Sequence, residues 1–207
     1  MNKTEKNHID FWSSGWTMFT TSKEEVNQML IDNSEYIFSA GKLIINNYPF
    51  KPSLAFRQKE FTANQIINID INAAPPTMRV GNELIFLSAP DKDKLSLFAS
   101  TNQIPIVNRK DIWDWLLEPF LDTEYTDDTD KRLTNLLSTY GLTEEKVFSI
   151  RQEVKIQMLK YNFDTMLWDW THLGAKDVLF AMRTKYDTEQ FASFYTRVME
   201  IALLSDE

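Results

Sequence analysis

Apolar and polar positions alternate with one period in the first half of the chain and with another in the second. Before residue 90 they recur in short runs of about five residues separated by turn formers, the pattern of β-strands. The runs 36–40, 42–46, 54–57, 65–71, 78–80 and 83–87 are predicted as strands. The clearest alternation is Ile67-Asn68-Ile69-Asp70-Ile71, which places three isoleucines on one face. Gly41 stands where a bulge or tight reversal fits, and Gly81-Asn82 reads as a hairpin turn. Pro75-Pro76 marks an extended connection. Ahead of the strands, Ser22-Lys23-Glu24-Glu25 has the capping-box spacing, Glu25 reaching back to the cap, and opens a short helix to about Asn33.

From Pro90 onward the period lengthens towards 3.6. A helix is predicted from about 91 to 102 and another from Asn108 or Asp111, where Pro119 is placed to split it after Leu117. Thr126 to Tyr140 is the next, closed by Gly141. Thr143 caps a long helix whose stripe runs from Val147 to Trp168, Gly174 breaks or bends it, and Asp187 opens the last. All seven prolines lie at or before Pro119, so the remaining stretch supports long helices. The reading is an α+β fold: an N-terminal antiparallel β-sheet over 36–87, for which a small half-barrel is one closure, followed by a C-terminal group of packed helices. A strand-rich part, 1–105, and an all-helical part, 106–207, are expected to dock as one compact unit.

Composition alters this picture little. With 207 residues, 43% hydrophobic and 25% charged, the chain matches an ordinary globule that needs no disulfide or metal staple. The absence of cysteine excludes disulfides, thiolate metal sites and cysteine catalysis. No run approaches the ~18 apolar residues of a membrane span, and the N-terminal residues lack a signal peptide's apolar segment. A cytoplasmic location without membrane contact is therefore expected, and richness in lysine, isoleucine and asparagine hints at an AT-rich bacterial genome. Glycine-rich phosphate loops and the Gly-x-Ser-x-Gly elbow are missing from the sequence.

Charge departs furthest from average. The net charge is −8, which disfavours nucleic acid as a partner. Residues 111–130 hold eight acids (Asp111, Asp114, Glu118, Asp122, Glu124, Asp127, Asp128 and Asp130) and no lysine or arginine; the other 22 acids equal the 22 bases. On a helix, Asp111, Asp114, Glu118 and Asp122 fall within a sector of about 80°, with Trp115 at its edge. Three functions fit. One is a non-enzymatic interaction module, inhibitor- or immunity-protein-like, that binds a basic protein partner through Asp111, Asp114, Trp115, Glu118, Asp122, Glu124, Asp127 and Asp128. Another is a divalent-metal-dependent hydrolytic or regulatory site on the 111–122 carboxylates, although no EF-hand loop or Glu-x-x-His pair is present. A structural homodimer subunit is the third. A solvated helix face accounts for the same charges without any function.

The interaction module leads, with no cofactor, no metal ligands and no catalytic residues assigned. Two other features are read structurally. Asp169 and His172 stand three apart on a helical stretch, where a hydrogen bond near the helix end explains them. The aromatic residues Phe11, Trp12, Trp16 and Phe19 are expected to pin the N-terminus onto the core.

Overall fold

The computed structural model describes residues 21–121, 125–164 and 172–206. Its strands form two separate three-stranded antiparallel sheets, followed by helices that make up most of the C-terminal half, an α+β architecture. The first sheet joins β1 (Glu35–Ser39), β2 (Lys42–Asn46) and β3 (Glu60–Thr62) in that order. The second joins β4 (Ile66–Asp70), β5 (Thr77–Val80) and β6 (Glu83–Phe86). Two-residue loops close the β1–β2 and β5–β6 hairpins, and Gly41 (φ 75°) and Gly81 (φ 57°) supply the positive φ that such tight turns need.

Both edges of the second sheet are taken. Beside β4, Ile69 donates its N–H to the Pro105 carbonyl and accepts from Val107 N–H, both at 2.9 Å, so residues 105–107 lie along it as a parallel bridge. Beside β6, side chains stand in for a strand: Leu84 N–H donates to Met199 Sδ (3.3 Å) and Phe86 N–H to the Tyr48 hydroxyl (3.0 Å).

Two expectations from the first half need correction. Residues 54–57 are not a strand but the start of α2 (Leu54–Gln58). The Ser53 hydroxyl caps this helix through Ala55 N–H, and Glu83 of β6 accepts from both the Ser53 hydroxyl (2.7 Å) and Leu54 N–H (2.8 Å). A carboxylate from a distant strand therefore fixes the helix, which no local period reveals. The three isoleucines do not share a face either. A bulge between Ile66 and Asn68 shifts the register, turning Ile67 outward at 48% exposure while Ile69 is fully buried.

Local capping signals decide most helix starts. Ser22 accepts from Glu25 N–H and opens α1 (Lys23–Leu30). Glu25 itself does not turn back to the cap, because its carboxylate is drawn to Lys160 (3.0 Å) and Gln157 (3.3 Å). After α3 (Lys92–Thr101), Asp111 caps α4 (Ile112–Leu117), and the chain tightens into a 3-10 turn at Glu118–Phe120 around Pro119. Thr126 caps α5 (Asp127–Ser138) and Thr143 caps α6 (Glu144–Leu159). The long helix does not run regularly to Trp168: it widens into a π-turn at Lys160–Asp164, and Trp168 lies outside the described residues. Gly174 is a true break, the N-cap of α7 (Ala175–Met182), and a complete capping box at Asp187 starts α8 (Thr188–Ala202).

One core cluster takes residues from Met29 to Ala202, across both sheets and the helices. Phe50 lies within it, its ring centroid 5.0 Å from Phe180, 6.1 Å from Tyr195 and 6.4 Å from Phe86. Trp113 fastens α4 there, buried and donating its indole N–H to the Val198 carbonyl of α8 at 3.0 Å.

Candidate functional site

The acidic segment begins as a helix cap. Asp111 Oδ1 accepts from the N–H groups of Trp113 (3.0 Å) and Asp114 (3.2 Å), satisfying two donors that the first turn leaves open. Its other oxygen faces His172, with Oδ2 3.5 Å from Nε2, while Asp114 Oδ1 lies 2.7 Å from Nδ1. The Asp114 contact is a charge-assisted hydrogen bond; the longer Asp111 contact is an attraction between charges. Asp111 and Asp114 together raise the imidazole pKa to about 10 against the opposing pull of burial, so His172 is an imidazolium at neutral pH.

The loop that brings His172 here is built for close approach. A Cβ on Gly174 would meet Asp111 Oδ2 at 2.8 Å, so any side chain at this position pushes the clasp apart. Asp177, buried in the first turn of α7, holds the loop from below by accepting from Gly174 N–H (2.8 Å) and the Tyr161 hydroxyl (2.9 Å). Burial pushes its carboxyl pKa up despite these donors.

Just past α4, Glu118 is half-buried, and burial followed by the Asp114 charge raises its pKa. Trp115 is half-buried too, its ring 5.6 Å from Tyr140. Arg151 of α6, only 6% exposed, secures this end of the helix by donating to the carbonyls of Leu116 (3.0 Å) and Trp115 (3.2 Å) and to Asp130 (2.7 Å). Asp130 also accepts from the Tyr125 hydroxyl. By contrast Asp127 and Asp128, in the exposed first turn of α5, form no ion pair among the described residues.

Asp111 and Asp114 thus close on one imidazolium, whose charge Glu118 also feels, while Asp127 and Asp128 make no contact with it among the described residues. Asp122, Glu124 and Asp169 lie outside the described residues, as do Phe11, Trp12, Trp16 and Phe19. The partners of His172 come from the acidic helix, a pairing the sequence reading missed because the two motifs are far apart in the chain. Among the described residues, no group of three or more histidine, aspartate or glutamate side chains is arranged to hold a metal ion, and no helix is long and apolar enough to cross a membrane.

Two cavities meet beside the clasp and share the wall Ala74, Pro75, His172 and Lys176. The larger, about 730 Å³, is bounded by α1, the β1 residue Tyr36 and α7, with Leu87 and Phe180 among its apolar lining. In it Lys176 pairs with Asp32 at 2.7 Å. Burial works against that carboxylate, yet Lys176 and Ser34 hold its pKa below the usual range. The smaller cavity, about 200 Å³, opens between residues 70–77 and 108–111. No protein-family model, curated protein or solved structure matches this chain.

Proposed function

We propose that the chain is a non-enzymatic protein-interaction module that binds a basic partner through the acidic surface at the start of α5, in the electrostatic manner of an inhibitor or immunity protein. The observation that carries this reading is the outward pair Asp127 and Asp128, which form no ion pair among the described residues although Lys131 and Arg132 follow one turn later, at the end of a twenty-residue window without a single base. Exposed like charges of this kind raise the association rate of an oppositely charged partner and repel wrong ones. Asp122 and Glu124 belong to the same acidic stretch of the sequence. In this reading Asp111 and Asp114 contribute less to the surface, because both are engaged by His172.

The imidazole supports the non-enzymatic side of the reading. His172 is the one histidine among the described residues, and an imidazolium with a pKa of about 10 takes up no further proton at neutral pH. Pull-down from a lysate of the source cells at graded salt tests the proposal, with wild type beside the Asp127→Asn/Asp128→Asn double variant. A basic protein retained by wild type, released by roughly 0.3 M salt as screening shortens, and not retained by the variant is the expected outcome. An identical set of proteins on both baits would refute it.

A further inference from the structure

We propose that the 730 Å³ cleft is a binding site for an uncharged, largely apolar small molecule that carries a hydroxyl or carbonyl group. This goes beyond the acidic surface and rests on different residues. Size fits the class, because pockets that enclose a whole small molecule run from about 300 to 1,000 Å³. Met29, Leu30, Pro75, Leu87 and Phe180 give the cleft apolar walls. Leu30 is 44% exposed although it lines the cleft, so a ligand seated there covers apolar area that the fold leaves in contact with water.

Charge narrows the ligand. Asp32, His172, Lys176 and Asp177 line the cleft, and each is already engaged within the protein. Lys176 and Asp32 pair with each other at 2.7 Å. His172 closes on Asp111 and Asp114. Asp177 accepts from Gly174 N–H and the Tyr161 hydroxyl. A charged ligand therefore meets no opposite charge here unless one of these pairs opens, and an unpaired charge is costly to remove from water. An uncharged ligand leaves every pair intact.

The hydroxyls are spent in the same way, with one exception. Ser34 donates to Asp32 at 2.6 Å, Tyr161 to Asp177, and Tyr36 to the Phe86 carbonyl at 3.1 Å. The half-buried Ser88 hydroxyl, also in the lining, makes no hydrogen bond among the described residues. It can donate to, or accept from, a polar group of the ligand and so orient an otherwise apolar body.

Binding of N-phenyl-1-naphthylamine to the full chain tests the proposal, at about 0.3 M salt so that long-range charge is screened. This uncharged probe brightens and shifts to the blue in apolar surroundings, and a saturable signal is expected. Naphthol, naphthoate and naphthylmethylammonium then compete for the site, offering the same aromatic body uncharged, anionic and cationic. Naphthol should displace the probe at about one tenth or less of the concentration that either ion needs. Leu30→Glu, a half-exposed substitution whose ligand-free melt should match wild type, should lose the probe, whereas Leu97→Glu, at an exposed residue outside the lining, should keep it. Ser88→Ala should raise the naphthol concentration needed by roughly 2- to 10-fold. No saturable signal, binding unchanged in Leu30→Glu, or binding lost in both glutamate variants would overturn the site. An ion that competes as well as naphthol would overturn the uncharged class, and an unchanged naphthol requirement in Ser88→Ala would overturn the Ser88 contact.

Discussion

Two stretches of the same acidic segment meet different fates. On α4, Asp111 and Asp114 close on an imidazolium from the loop before α7, while Asp130, further on, closes on Arg151. In the first turn of α5, Asp127 and Asp128 have the helix N-terminus behind them and solvent in front. The sequence weights all of them alike. What separates them is which carboxylates the fold carries into reach of a cation, so a tally of charge over a window overstates the charge a partner meets.

Arg151→Met is the strongest test of the neutralised part. It leaves two helix-end carbonyls and Asp130 without their donor in a nearly buried place, and a loss of about 3–5 kcal/mol in urea unfolding is expected. A loss below about 1 kcal/mol would mean that the guanidinium behaves as a surface charge. Gly174→Ala follows. Its methyl group meets Asp111 Oδ2, and a cost of about 1–3 kcal/mol is expected, with a weaker His172 contact seen in the imidazole NMR shifts. A neutral outcome would show that the loop has room to retreat.

The clasp itself is tested by pH. The folded-state pKa of His172, about 10, lies above its ordinary 6.5, so its contribution is complete below about pH 6.5 and is lost as pH rises towards 10. With its side chain 35% exposed, solvent screening reduces this to on the order of 1–2 kcal/mol. The difference in stability between wild type and His172→Gln should therefore shrink across that window, and a difference that stays flat would sink the assignment. The smallest effect belongs to the open pair. Asp127→Asn with Asp128→Asn removes only a favourable helix-end interaction, under about 1 kcal/mol per residue and diminished by salt. A larger loss in denaturant melts would place these two in a structural role after all.

The sequence disclosed whatever is decided within a turn or two. Ser22, Thr126, Thr143 and Asp187 cap helices where their side chains and spacing indicate, and Gly41 and Gly81 turn hairpins. It concealed what a distant residue decides. Glu83 makes 54–58 helical, Lys160 and Gln157 draw Glu25 off its cap, and a bulge at Ile67 undoes a clean alternation. The candidate site was half legible for the same reason. The spacing of Asp111, Asp114 and Glu118 on one helix face is local, whereas His172, Lys176 and Arg109 reach the same place only through the tertiary fold.

The covered edges of the second sheet set a limit on assembly. With residues 105–107 along β4, and Met199 and Tyr48 occupying N–H groups of β6, an incoming peptide finds no continuous row of free donors and acceptors there to extend. Growth by strand addition, whether into a complex or into an aggregate, is thereby directed to the first sheet, where β1 and β3 are edges among the described residues and Ile37 is half exposed. Under partial denaturation the β1–β2 hairpin, rather than the better-buried strands of the second sheet, is where neighbouring copies should first join.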